Sequence, residues 1–438
     1  MIRRIASYIY NFGLGGLLLR LMGVRRQSPK MTVWRFIFSG VSCIGHYGLL
    51  PTFKSIKVAR LCKRASRIRI FLTVPESWGG GAAYYLNEQI RSFTKDQLSL
   101  VVSPSGLGRS LVVRVYVGPQ KVERVFVDSL SALNHLPRGK VEDVVVSTIV
   151  AWHDVVGQSR IDQVGIAELM RQILAIKHAN KCKLLYLLHD YYCVCPRLFL
   201  VGDDGQYCRG EFTGDKCNEC CAQDVDCVDR IAGGTDVMKW RKTMNDFLRE
   251  ADEIRAFCAD TIRRMNRVFP QYSFTLVPHP EPRDIMRKPT LQFKKLQVGV
   301  IGNISCYKGA AEVVRLSRYL ETINEACKIV VIGNLRMDNL PALPNVIQTG
   351  SYRQAELPDL VEKYNVNIAL FSSTVPETYS YVMHEIIQLG MPVVSYDRGA
   401  QCDCAKEYRY GKVIPEVTPE STWKAIQELY CEMKGLNE

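Results

Sequence analysis

A chain of 438 residues, 47% hydrophobic and 23% charged, is globular rather than disordered or fibrous, and too long for one ordinary core. Its formal net charge of +13 suggests nucleic acid until its distribution is read. Fourteen Lys and Arg, with no Asp or Glu, fall between Met1 and Pro75, and the remainder carries 43 basic against 44 acidic residues. A near-neutral body argues against a nucleic-acid partner.

The basic residues of the N-terminal extension are interleaved with two apolar stretches, IASYIYNFGLGGLLL and VWRFIFSGVSCIGHYGLL. The first is ended by Arg20, and the second is broken by glycines, His46 and Pro51, so neither supplies the roughly 20 apolar residues of a spanning helix. Residues 1–66 are therefore expected to form an amphipathic extension lying on an anionic membrane surface. A surface helix packed on the body, or a cleaved signal or true anchor, are the alternatives.

Beyond it, RIRIFLTV (67–74) reads as a strand, PESWGGG as a glycine loop, and the following residues, spaced at Leu86, Ile90 and Phe93, as a helix. Strands are expected at 98–102, 144–149 and 184–188, with a helix over 164–179, which is the alternation of a parallel sheet with crossover helices. The stretch from Cys193 to Thr235 has no clear periodicity and holds seven of the sixteen cysteines, so it reads as an insertion held by something other than an apolar core. Helices resume at 236–250 and 259–267. VPHPEPRDIMRKPT (277–290), with four prolines, reads as an interdomain linker. A second alternating unit follows, with strands at 296–302, 328–332, 367–371 and 392–395, and helices at 309–323, 355–364 and 381–389. The fold class is therefore α/β with two Rossmann-like domains: the extension over 1–66, one domain over 67–280 with its Cys-rich insertion at 193–235, and another over 281–438. Open parallel sheets bind ligands at their strand C-terminal ends, which places a cleft between the two.

The segment PETYSYVMHE carries the sharpest chemistry. Ser380 is placed to cap a helix whose free amides seat a phosphate, and Glu377 and Glu385 flank that seat with seven residues between them. Carboxylates there suit the hydroxyls of sugar and ribose. A pair of solvated glutamates is the plain alternative. In IGNISCYKGAAEVV a strand ends in glycine and a helix begins near Gly309, so Lys308 is placed to meet a diphosphate. Gly79, Gly80 and Gly81 allow close backbone approach to a ligand, or simply a tight turn. His189 and Asp190 end a strand where residues project into the cleft, with His153 and Asp154 a second such pair; a hydrogen-bonded histidine at a strand end is the alternative for each.

PETYSYVMHE followed by GMPVVSYDRGA resembles the donor-site signature of glycosyltransferase family four, in particular its bacterial surface-polysaccharide members. The resemblance implies a GT-B fold and a retaining transferase acting from a nucleotide-diphosphate sugar. The N-terminal domain would be the acceptor domain and the C-terminal domain the donor domain. Glu377 would hold a hydroxyl of the donor sugar, Glu385 the ribose, and Thr378, Tyr379 and Ser380 would line sugar and phosphate. Lys308 would meet the diphosphate, where Asn303 replaces the family's usual arginine. HDYYCVCPR resembles the N-domain motif and implies a catalytic position for His189, with His153 and Asp190 on the acceptor side. Catalysis would need no cofactor. The acceptor would be a saccharide, held by a lipid carrier at the inner face of the cell membrane. An inactive scaffold on the same fold, binding membrane or nucleic acid, and a sugar-nucleotide epimerase are the other readings. Separately, Cys195, Cys208, Cys217 and Cys220 are candidate thiolate ligands of a structural zinc, with free or oxidisable thiols and an iron-sulfur cluster as alternatives.

Overall fold

The computed structural model describes residues 51–76, 80–105, 110–137, 139–156, 162–211, 213–222, 235–282, 284–337 and 339–437. The membrane-surface extension expected over 1–66 lies outside the described residues as far as residue 50. Its described part is α1 (Pro51–Arg64), which starts on proline, a residue whose missing N–H costs nothing at a helix start. Among the described residues no helix is long and apolar enough to cross a membrane.

The chain divides into two compact units, one formed by Met1–Tyr186 with Asp246–Asp252, the other by Leu187–Asn245 with Glu253–Glu438. The first holds β1 (Arg67–Leu72), α2 (Gly80–Arg91), β2 (Gln97–Pro104), β3 (Leu111–Val117), β4 (Gln120–Val127), β5 (Val141–Val146), α3 (Gln163–Asn180) and β6 (Lys183–Leu187). Its strands run in the order β4-β3-β2-β1-β5-β6. The central members β2, β1, β5 and β6 pair in parallel, while β2, β3 and β4 form antiparallel hairpins that the parallel pattern does not contain. Asp162 starts α3 by accepting from the N–H groups of Val164 and Gly165, and Lys181 ends it in the left-handed conformation.

The second unit begins with α4 (Gly214–Ala222), α5 (Val237–Arg249), β7 (Glu253–Ala256), α6 (Ala259–Val268) and β8 (Thr275–Leu276). It continues as β9 (Gln297–Ile304), α7 (Ala310–Thr322), β10 (Lys328–Leu335), β11 (Val346–Gln348), α8 (Leu357–Lys363), β12 (Ile368–Phe371), α9 (Tyr381–Gln388), β13 (Val393–Tyr396), α10 (Gly399–Glu407), β14 (Gly411–Ile414) and α11 (Pro419–Asn437). Six strands form a wholly parallel sheet in the order β11-β10-β9-β12-β13-β14. Both faces are covered, as runs such as KIVVIG require. Ile329, Val331 and Leu370 pack with Val313 and Leu316 of α7 and Ile426 of α11. Val330, Ile332 and Ala369 pack with Val361 of α8 and Met383 and Ile386 of α9.

The division into compact units falls after Tyr186. Residues 187–245 and 253–281 group with the later half because specific contacts tie them there. The Thr378 hydroxyl donates to the His189 carbonyl at 2.9 Å, and Arg263 pairs with Asp403 at 2.7 Å.

Gly309, with φ of +86°, ends the loop before α7, and a Cβ there would lie 1.8 Å from the Ser372 carbonyl oxygen. Only glycine allows that approach. Gly309→Ala is therefore expected to destabilise the protein by about 2 kcal/mol or more, read as a lower urea midpoint at unchanged slope. An unchanged midpoint would mean that the Ser372 strand end yields freely.

Candidate active site

The parallel sheet presents its strand ends to two loops. One runs from β9 into α7 and carries Lys308; the other runs from β12 into α9 and carries Pro376 to Ser380. The Lys308 carbonyl accepts from the Ser372 hydroxyl at 2.8 Å, which fastens the first loop to the start of the second. Ser380 caps α9, its hydroxyl oxygen accepting the Met383 N–H at 3.3 Å. At the far end of the PET turn, Gly399 packs so closely that a Cβ would lie 2.4 Å from the Glu377 nitrogen. Gln401 then accepts the Glu377 N–H at 3.1 Å, while Ala400 donates its N–H to the Glu377 carbonyl at 2.8 Å.

Held in this way, Glu377 meets Lys308 in an ion pair of 2.6 Å. The carboxylate is nearly buried, whereas the ammonium is about one third exposed. A lysine head has three donors and one carboxylate uses only part of that capacity, so Lys308 remains able to meet a further anion. Gly302, Asn303, Lys308, Ser372, Ser373 and Val382 line a cavity in the same place. Asn303 accepts from the Asn334 amide at 3.0 Å, and Asn334 also reaches the Ser351 hydroxyl at 3.4 Å. The position where an arginine is usual thus carries a neutral amide chain.

Glu385 is buried on α9, and Gln354 donates to one of its oxygens. The other carboxylate oxygen has no partner among the described residues. Burial pushes this carboxyl up to about 7, only partly offset by the Gln354 hydrogen bond, and burial, with Glu385 adding to it, raises the half-buried Tyr352 phenol. An acceptor oxygen held in that setting is suited to a donor brought by a ligand.

His189 does not stand alone. Its ring stacks on Phe257 at 4.6 Å, Phe257 meets His279 at 4.0 Å, His279 meets Tyr379 at 4.2 Å, and Tyr379 stacks on His384 at 4.5 Å. His279 is pushed down to about 2, first by burial and then by the neighbouring histidines, so the centre of this cluster is neutral. His384 completes it, bonded to Glu281 at 3.2 Å. The sequence reading assigned no role to His279 or His384; the one sits in a proline-rich stretch that reads as linker, the other on a helix face. Gln354 and Tyr352 carry no motif signal.

The remaining candidates are placed by their own elements. Asp190 accepts the Tyr192 N–H at 2.9 Å, closing a turn. His153 lies in a 3₁₀ turn of the other unit, as do Gly80, with φ of +82°, and Gly81 at the start of α2, and Gly79 lies outside the described residues.

Of the zinc candidates Cys195, Cys208, Cys217 and Cys220, Cys208 lies within electrostatic reach of Cys217 and Cys220, while among the described residues no three His, Cys, Asp or Glu side chains are grouped to hold a metal. Cys217 accepts from Arg241 at 3.2 Å, and it is Cys221 that links Cys195 to Cys220 through thiol hydrogen bonds.

Comparison with known proteins adds to this geometry. The family model described as Glycosyl transferases group 1 matches residues 282–434. Among solved structures, Anabaena Alr3699/HepE in complex with UDP is similar to this chain with a TM-score of 0.51 and 12% identity, covering 84% of this chain and 90% of that one. Sucrose-phosphate synthase from Thermosynechococcus elongatus is similar with a TM-score of 0.52 at 12% identity and the same coverage. No curated protein matches. At such identity the neighbours speak to the fold, which is GT-B. The family match spans the Lys308 and Glu377 loops and, with that fold, marks a glycosyltransferase.

The Glu385 environment sets a pH dependence. Its carboxyl titrates at about 7 in the folded protein against an ordinary value of 4.5, so between these the folded state holds a proton that the unfolded chain releases. Stability is then greatest below the unfolded value and falls as pH rises through 7, by roughly 3 kcal/mol. Glu385→Gln should remove that fall, measured as urea midpoints at pH 5 and pH 8 without ligand; an equally steep fall in the variant would assign it to other groups.

Proposed function

We propose that the protein transfers a sugar from a nucleoside diphosphate sugar to a hydroxyl of a saccharide acceptor, with retention at the anomeric carbon, in the building of a cell-surface polysaccharide. The observation that carries this reading is the Lys308–Glu377 pair: a cation at the start of α7 beside a carboxylate at the start of α9. The amides at the α7 start and the Lys308 ammonium suit the diphosphate, and Glu377 suits a sugar hydroxyl. Glu385, with its unpartnered oxygen, suits the ribose, whose hydroxyls donate.

As the bond between the anomeric carbon and the diphosphate oxygen breaks, negative charge grows on the leaving group. In this reading Lys308 and the helix amides stabilise that charge, the arrangement that lowers the barrier. Two carboxylates here bind rather than act as the acid and nucleophile of a glycosidase, since one is already paired with lysine and the other is buried on a helix. Retention rests on the likeness of PETYSYVMHE to retaining enzymes. A lipid-carried acceptor, and with it attachment to the inner face of the membrane, rests on the charge and apolar pattern of residues 1–66.

Thermal shift of the full chain with UDP, GDP and ADP tests the donor side, and release of nucleoside diphosphate from the matching sugar donor tests turnover. Lys308→Ala is expected to lower kcat by about 10²–10³ with a smaller change in donor KM, the pattern of a group that acts mainly on developing charge. Glu377→Ala should weaken the sugar donor much more than the bare diphosphate. Absence of stabilisation by every nucleotide, with both variants matching the wild type, would overturn the proposal.

A further inference from the structure

Strands β9 and β10 end alike, on Gly302, Asn303 and Ile304 in one and on Gly333, Asn334 and Leu335 in the other, and their parallel register sets each residue opposite its counterpart. Ile304 and Leu335 are buried on the face covered by α7 and α11. Alternation along a strand then puts Asn303 and Asn334 on the opposite face, the one covered by α8 and α9. The two ends lie so close that a Cβ on Gly333 would stand 2.0 Å from the Gly302 carbonyl oxygen. The end of β11 joins them. Thr349 accepts the Gly333 N–H on its hydroxyl at 3.1 Å, and the Gly350 N–H donates to the Gly333 carbonyl at 3.0 Å, which brings Ser351 alongside.

The backbone thus delivers three polar side chains in a row. The Asn334 amide nitrogen donates to the Asn303 Oδ1 at 3.0 Å and to the Ser351 hydroxyl at 3.4 Å, so both of its N–H groups are used. Asn303 is held with its carbonyl toward Asn334, and the N–H groups of its own amide have no partner among the described residues. Asn303 is exposed and lines the same cavity as Lys308, together with Gly302, Ser372 and Val382 of α9. No Asp or Glu lines that cavity, and Glu377 reaches it through its pair with Lys308. A cation and a pair of neutral donors converge there, which suits an anion rich in acceptor oxygens.

We propose that Asn303 is a second anion contact beside Lys308, and that Asn334 is the residue that positions it. The inference rests on the nucleoside diphosphate reading for its ligand and deepens it. An amide free to turn presents its carbonyl as readily as its nitrogen, and a carbonyl oxygen set against a phosphate repels it. The bond from Asn334 removes that choice by holding the Asn303 carbonyl away from the cavity. A neutral donor also adds directed hydrogen bonds to phosphate oxygens without competing with Lys308 for the Glu377 carboxylate.

The full-length protein is titrated calorimetrically with UDP, GDP and ADP, with the matching nucleosides, and with inorganic pyrophosphate. The quantity read is the preference for a diphosphate over its nucleoside, which loss of structure alone does not move because it weakens both. Asn303→Asp, equal in size but with acceptors only, should reduce the preference at least thirtyfold, and Asn303→Ala at least fivefold. Asn334→Leu keeps the shape and removes the donors. It should reduce the preference at least threefold alone and less than twofold in the Asn303→Ala background, since it acts through Asn303. Asn303 is exposed, so its variants keep the test sound if Asn334→Leu folds poorly. An undiminished preference in both Asn303 variants overturns the inference and leaves the transfer reading standing, and equal losses from Asn334→Leu in the two backgrounds overturn the positioning role. If no nucleoside diphosphate binds while pyrophosphate binds and loses at least fivefold in Asn303→Ala, the transfer reading falls and the anion contact stands. If neither binds, both fall.

Discussion

The Lys308–Glu377 ion pair organises the later half of this protein, and it depends on two close backbone approaches that only glycine permits. Gly309 brings the start of α7 against the Ser372 carbonyl, and Gly399 brings the start of α10 against the Glu377 nitrogen. Both loops are thereby held to the sheet before any side chain is considered. The pair itself closes at 2.6 Å with one partner nearly buried and the other partly wet. With one partner partly wet the pair is partly screened, so under the proposed reading its value lies in holding a cation and a carboxylate ready for a ligand that carries the opposite charge and hydroxyls.

Around that pair the protein accepts unfavourable local terms. A carboxyl buried on α9 keeps an oxygen without a partner among the described residues, and a histidine is enclosed by aromatic rings and a second histidine until it no longer holds a proton near neutrality. Burial of a polar group is costly unless hydrogen bonds offset it. The Phe257, His279 and Tyr379 contacts also join the segment after β8 to the loop that carries Glu377.

The Cys-rich insertion is tied together by its thiols and docked by its aromatic residues. Its thiols form a hydrogen-bonded series through Cys221, with Cys217 turned to Arg241. What the insertion contributes to the site is a hairpin that pairs Val201 with Tyr207 and lays Phe199 on Tyr307 and Tyr207 beside Arg398. An insertion without apolar periodicity can still be ordered when its aromatic residues find partners on the body.

The strands, the helices and the PETYS segment were legible in the chain itself, because buried parallel strands read as continuous apolar runs and because a capping serine before a helix has a local signature. Lys308, Glu377 and Glu385 could be singled out from residue type and spacing within single loops. The hairpins of β2 to β4 went unread although their alternation is local. What sequence could not supply was everything that depends on residues far apart in the chain: the pairing of Lys308 with Glu377, 69 positions away, the meeting of His189 with Phe257 and His279, and the seat of Tyr207 between Arg264 and Arg398. The compact division at Tyr186 belongs to the same class. Local propensity and periodicity act over a few residues, whereas burial, ring stacking and charge balance are settled only when the sheet brings distant loops to one edge.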